Sequence, residues 1–302
     1  MFIAFVHNGN AFLPELQVYI DYFSKKNIEV TICSSAELPH INKDVEWHFM
    51  GLDRHPKNSV IKIHEYTSAS TPPFAFIKNK IKVRLNSKPD FRLFLNQFTY
   101  NNFAFNDEVP FGFRDMGINT PEPTITNETK QFDFIYVGEI KGRRLDPLLH
   151  CFTTGRLASK TILFLTKDYK RIAHSVKRFA NVHFLGPVAR DEVNRYIQLS
   201  RFGINFIPDV PPFNRQTSTK LLEYAANKIP VITTKYPWIV DFENKYGGRY
   251  FYLNNDLSNF TWENITEYSY SFPDLTEWTW DFQIKNSGVL KFLASKFPSI
   301  VW

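Results

Sequence analysis

The chain has 302 residues, 43% hydrophobic and 22% charged, which is too long for one ordinary core and suits two soluble globular ones. Low-complexity tracts and fixed-period repeats are absent, which excludes disorder and solenoids. The net charge of +6 suits a polyanionic partner such as a nucleotide diphosphate, a nucleic acid or an anionic membrane surface.

No stretch approaches eighteen uninterrupted apolar residues, so no segment reads as membrane-spanning. The cysteines, Cys33 and Cys151, lack metal-ligand spacing and read as reduced thiols of a cytoplasmic protein. Aromatic residues reach 17%, with 30 Phe, and read mainly as core filling.

Residues 2–6 are a short apolar run that reads as a buried first strand rather than a signal peptide. Leu16, Val18, Tyr19, Tyr22 and Phe23 recur at helical spacing and 28–33 reads as the next strand, so the chain opens as βαβ. Residues 59–64 and 91–96 read as later strands of the same sheet. Lys78, Lys80, Lys82, Arg84 and Lys88 partly alternate, as on one strand face, and would suit nucleic acid, anionic lipid or a lipid diphosphate. The stretch 97–113 has no clear period. Residues 116–131 mix Pro, Gly and polar residues, which is a linker signature.

A second alternation follows. Strands are expected over 132–137, 161–166, 182–185, 203–207 and 231–234, and helices over 145–152, 169–179, 191–199 and 220–227. Repeated βα units predict an open parallel sheet with helices on both faces. One last helix is expected over 282–297.

In such a sheet, ligands bind beyond the carboxyl ends of the strands. After strand 132–137 come Gly138, Lys141, Gly142, Arg143 and Arg144. Glycine admits a ligand close to the backbone, and the cations suit phosphate oxygens; a solvated basic turn is the alternative. At 216–224, Ser218, Thr219 and Lys220 open a helix whose free N–H groups and dipole suit an anion. Glu223, one turn further in, has the reach to accept from a ribose diol, or to pair on the surface with Lys220 or Asn227.

The stretch Ser218–Ala226 followed by Pro230-Val231-Ile232 resembles the donor-binding signature of GT-B glycosyltransferases, particularly family-4-like bacterial enzymes of surface polysaccharide assembly. Residues 181–188, with Glu192, Tyr196 and Ile207-Pro208, resemble that family's nucleobase segment. The resemblance implies an α/β chain of two Rossmann-like domains facing a central cleft. These are an acceptor-side domain (1–118), a nucleotide-sugar-binding domain (119–275) and a C-terminal helix (276–302) crossing back to the first. It implies that a UDP- or GDP-sugar is bound, with Glu223 on the ribose and Gly186 and Val188 against the base. Ser218, Thr219 and Lys220 would hold phosphate, with Lys141, Arg143 or Arg144 opposite and Gly138 leaving room.

Two positions depart from the family pattern. Arg215 stands eight residues before Glu223, where many retaining members carry a glutamate, and Asn227-Lys228-Ile229 replaces the usual glycine turn. The acceptor would be a glycan or lipid-linked glycan, and the proton acceptor of an inverting reaction would be Glu65, His64 or His7. Asp-X-Asp, P-loop and Gly-X-Gly-X-X-Gly motifs are absent, so no metal, no separate cofactor and no nucleic-acid partner are expected. The chain is expected in the cytoplasm, with peripheral contact to an anionic inner membrane face. A sugar-nucleotide epimerase and a non-catalytic binding module of GT-B shape are the rival readings.

Overall fold

Apolar runs of four to six residues become strands where a parallel sheet is covered on both faces, and this chain forms two such sheets. The computed structural model describes residues 1–9, 13–56, 60–119, 129–140, 142–167 and 169–300, except for the side chains of Arg171, Arg190 and Asp191. Lys141 and most of the expected linker, 120–128, thus lie outside the described residues, as does the start of the strand expected at 59. The chain divides into two units, one of residues 1–117 with 277–302 and one of 118–276.

In chain order the first unit contains β1 (Phe2–Val6), α1 (Pro14–Ser24), β2 (Glu29–Cys33), β3 (Val45–Phe49), β4 (Ile61–Tyr66), α2 (Ala75–Leu85), β5 (Phe91–Phe94), α3 (Gln97–Phe103) and β6 (Phe111–Phe113). Its sheet runs β2-β1-β3-β4-β5-β6, with every pair parallel. The second unit contains β7 (Phe132–Val137), α4 (Asp146–Thr153), β8 (Ile162–Leu165), α5 (Lys170–Val176), β9 (Val182–Leu185), α6 (Arg190–Gln198) and β10 (Ser200–Asn205). It continues with α7 (Thr219–Ala226), β11 (Val231–Thr234), α8 (Pro237–Tyr246), β12 (Phe251–Leu253) and α9 (Trp262–Glu267). Its sheet, also parallel throughout, runs β12-β11-β10-β7-β8-β9. The chain returns to the first unit as α10 (Trp280–Asn286) and α11 (Val289–Lys296).

Ile3, Phe5, Trp47, Ile63 and Leu93 line one face of the first sheet and pack with Tyr19 and Phe23 of α1. Ile284, Val289, Leu290 and Leu293 close the same core, which fixes the last two helices against the first sheet. The second core gathers Phe134, Tyr136, Leu148, Phe152, Ile162, Phe164, Ile204 and Ile232. Phe thus serves mainly as core filling, as expected.

Two expectations need correction, and one unassigned stretch gains structure. The helix expected over 282–297 is two helices, because Gly288 adopts φ +80 and begins α11 as its N-cap. The basic run is not a strand face but α2, where Phe74, Ile77, Ile81 and Leu85 recur at a helical period. The unassigned stretch 97–113 forms α3, capped by the Asn96 side chain accepting from Thr99 N at 3.0 Å, and the edge strand β6.

Candidate functional site

Strand order reverses between β7 and β10: the chain leaves β7 toward β8 and β9, but leaves β10 toward β11 and β12. That reversal opens a crevice beyond the carboxyl ends of these two strands, where open α/β sheets bind ligands. Gly138 follows β7 directly, and α7 enters the same place after β10.

The sequence anchors α7 there. The Tyr224 ring lies against Gly203 of β10, where an added Cβ would come within 2.5 Å of it. The Tyr224 hydroxyl accepts from Val137 N at 2.9 Å, so the helix is tied to both central strands. Ser218 caps it by accepting from Leu221 N at 3.4 Å and donates to Asn205 Oδ1 at 2.7 Å. Asn205, at the end of β10, donates from Nδ2 to Thr233 Oγ1 at 3.0 Å and to the Tyr236 hydroxyl at 2.9 Å. This buried chain of hydrogen bonds sets the height of the α7 N-terminus relative to the strand ends.

Lys220 is 8% exposed. Its ammonium lies 5.3 Å from the Tyr136 ring centroid, and its stem fills the space where Gly138 lacks a side chain. Burial first, and then the Arg143 cation, hold its pKa down to about 7 against the opposing pull of Glu223 and Glu139. Arg143 stacks over Phe213 at 4.6 Å. Its Nη1 is buried without a hydrogen-bond partner, as is Nε2 of Gln216. Buried donors left unmatched by the protein are unusual and call for an acceptor from elsewhere. Arg143 and a lysine that a bound anion can recharge suit a phosphate-bearing ligand.

The structure thus brings Gly138, Arg143, Ser218 and Lys220 to one crevice, with half-buried Thr219 opening α7. Arg144 is exposed, and Lys141 lies outside the described residues. Glu223 lies one turn along α7, lining a shallow recess with Ile118, Asn119, Asn194, Ala226 and Asn227. Gly186 and Val188 follow edge strand β9, two strands from β7 and so about 10 Å across the sheet. Arg215 is exposed at the end of a 3-10 turn, Phe213–Arg215. Asn205, Phe213 and Tyr236 were not singled out by sequence reasoning. The available signal was Asn205, a polar residue ending an otherwise buried strand.

In the first unit, the reversal falls between β1 and β3, and half-buried His7 follows β1 there. His64 and Glu65 occupy the interior of β4 and face opposite sides of the sheet. His64 is fully buried, with Nε2 3.0 Å from Asp53 Oδ2. Burial holds its pKa down to about 4, against the pull of Asp53. Burial alone would raise the Asp53 carboxyl, but hydrogen bonds from His64, Ser87 and Lys62, with the charge of His48, hold it below the usual range. Glu65 is also buried; it accepts from Trp47 Nε1 at 2.7 Å and Arg114 Nε at 2.8 Å. Arg114 also reaches Glu15 at 3.1 Å. Burial pushes the Glu65 carboxyl up, and the Arg114 charge opposes it. Both β4 side chains point into the protein interior, Glu65 in an ion pair with Arg114 and His64 in a hydrogen bond with Asp53.

Solved structures share this fold across almost the whole chain. AviGT4, a glycosyltransferase involved in avilamycin A biosynthesis, is 9% identical, with 99% of this chain and 96% of that chain covered and a TM-score of 0.56. Anabaena Alr3699/HepE, solved in complex with UDP, is 11% identical, with 99% and 100% covered and a TM-score of 0.58. A putative UDP-N-acetylglucosamine 2-epimerase from Listeria monocytogenes is 8% identical, with 100% and 97% covered and a TM-score of 0.59. No family model and no curated protein matches the sequence.

Proposed function

We propose, from the premise that the chain has the GT-B fold, that it is a glycosyltransferase whose residues 118–276 hold a nucleoside-diphosphate sugar. The observation that carries this reading is the convergence of buried Lys220, the unmatched Arg143 Nη1 and the capped α7 N-terminus at the β7/β10 reversal. A diphosphate placed there would satisfy the buried donors and return a proton to Lys220. Negative charge grows on the diphosphate as the glycosidic bond breaks, so these groups act more strongly on the transition state than on the bound donor. Removing one such donor typically costs about 3–4 kcal/mol of transition-state stabilisation.

In the same reading Glu223 binds the ribose, Gly186 and Val188 border a uracil or guanine base, and Arg144 and Lys141 add positive charge nearby. The transferred group is a hexose or related sugar, and charge neutralisation by Lys220 and Arg143 takes the role a metal has elsewhere. The acceptor is a glycan or lipid-linked glycan of bacterial surface polysaccharide synthesis, made at the cytoplasmic face of a membrane. His7, at the strand-order reversal of the first unit, is the proton acceptor favoured here, since His64 is held inside by its hydrogen bond to Asp53 and Glu65 by its ion pair with Arg114.

Two further readings have an observation each. The fold shared with a putative epimerase favours isomerisation of a free nucleotide sugar, and Arg215 in place of a glutamate favours a binding module without activity. Incubation with UDP- and GDP-sugars separates the three. Acceptor-dependent release of nucleoside diphosphate is the expected result. Isomerised donor without release would mean an epimerase, and nucleotide binding without either reaction would mean a binding module. Failure to bind any nucleotide would overturn the site.

A further inference from the structure

Helix α2 exposes most of its apolar side chains. Phe74 is 71% exposed, Phe76 66%, Ile77 53%, Ile81 45% and Leu85 43%. At 100° per residue, Ile77, Ile81 and Leu85 form one stripe about 12 Å long, and the exposed N-cap Phe74 precedes it. The stripe lies opposite buried Asn79, which fastens the helix by accepting from Ser70 N at 3.2 Å and donating to Asn102 O at 3.4 Å. Exposed apolar side chains gathered on one helix face mark an interaction surface.

Its borders identify the partner. Lys78 and Lys82 flank the stripe on one side, with Lys80 and Arg84 on the other and Lys88 just beyond. No Asp or Glu occurs between Tyr66 and Pro89. A second copy of this face would meet it with the same sign of charge, which disfavours self-association. Ile77, Ile81 and Leu85 offer nucleic acid neither stacking nor hydrogen bonds, whereas acyl chains accept them readily.

We infer that α2 is a membrane-docking helix that lies in the plane of an anionic lipid surface. Phe74, Ile77, Ile81 and Leu85 enter the headgroup–acyl boundary, and Lys78, Lys80, Arg84 and Lys88 meet the lipid phosphates. No helix among the described residues is long and apolar enough to cross a membrane, so the attachment is peripheral and reversible. The inference stands on α2 alone and does not rest on the nucleotide site.

The test is co-sedimentation of the full chain with vesicles of phosphatidylcholine containing 0 or about 30% phosphatidylglycerol, at low and high salt. Binding to the anionic vesicles alone, weakened by salt, is expected. Ile77→Asp with Ile81→Asp abolishes it. Lys80→Gln with Arg84→Gln weakens it roughly 30-fold, about 5-fold for each cation lost. All four positions are exposed, so the melting temperature and nucleotide binding should match wild type. Absence of vesicle binding, or undiminished binding by the Ile77/Ile81 variant, overturns the inference. Concentration-dependent dimers or oligonucleotide binding that those variants abolish, without vesicle binding, overturn it as well.

Discussion

A Cβ at Gly138 would lie 2.7 Å from Cε of Lys220, so the absence of a side chain after β7 is what lets Lys220 cross the strand end. Gly138 also has φ +119, a conformation that other residues adopt only with strain. Gly138→Ala should therefore push Lys220 out of place and strain the turn together. Nucleotide-sugar affinity should fall by at least about 10-fold, equivalent to about 1.4 kcal/mol, read by calorimetry. Because Gly138 lies just past the carboxyl end of β7, the far-ultraviolet circular dichroism should be unchanged.

Lys220 gives the site a pH dependence. Its pKa of about 7 in the free protein lies below the ordinary lysine value, so above pH 7 the native site holds a neutral amine. A bound diphosphate favours the ammonium and raises this pKa, so binding takes up a proton. Affinity for a UDP- or GDP-sugar should therefore decrease as pH rises from about 7 to 9. Calorimetry in buffers of different ionisation enthalpy reads the uptake directly, and Lys220→Met should abolish it. In the free protein the unfolded lysine binds a proton that the native one lacks between about pH 7 and 10.5, so this group makes stability rise with pH there.

The first unit has a response of the same sign at lower pH. With a pKa of about 4, buried His64 stays neutral where an unfolded histidine, at about 6.5, is already charged. Its contribution to stability is complete above pH 6.5 and is lost as pH falls toward 4, at about 1.4 kcal/mol per pH unit. His64→Gln keeps a donor toward Asp53 without a titrating ring. Its melting temperature should vary less across pH 4 to 6.5 than that of wild type.

Much of the fold was legible because the strands of a doubly covered parallel sheet are apolar runs with little ambiguity. Residues 132–137, 182–185 and 231–234 are observed strands with the bounds expected from sequence. Strand β3 was missed because Glu46 and His48 break its apolar pattern. Both are buried: Glu46 lies 3.3 Å from His48 on the same strand and 3.7 Å from Lys62, which the fold brings from β4. Helix α2 was misread because Lys78, Lys80, Lys82 and Arg84 mimic a period of two, while the apolar residues between them carry the true helical period. At the crevice, Gly138, Arg143, Ser218 and Lys220 sit beside strand ends and helix starts, which sequence reveals. Asn205 and Tyr236 join them only through hydrogen bonds spanning 13 and 31 residues. For His64 and Glu65, β4 runs on to Tyr66, and sheet pairing on both sides buries what reads in sequence as a strand end.

Arg114 is the keystone of a second buried group, between Glu15 and Glu65. Arg114→Met removes the cation and leaves two carboxylates facing each other inside the first unit. Breaking such a group by deleting one partner costs roughly 3–5 kcal/mol, which should lower the melting transition of that unit by about 10 °C. Arg114→Met combined with Glu65→Gln should recover a substantial part of the loss. The nucleotide site, in the other unit, should bind with unchanged affinity when measured below the transition.

The central claim is that the β7/β10 crevice of residues 118–276 holds a nucleoside-diphosphate sugar through Lys220 and Arg143. Calorimetric titration of wild type, Lys220→Met and Arg143→Gln with UDP- and GDP-sugars at pH 7 tests it most directly. The account predicts one site per chain for one of the two bases, weakened at least about 10-fold, or about 1.4 kcal/mol, by each substitution. Binding that both variants retain at full strength, or no binding by wild type to either nucleotide sugar, would contradict it.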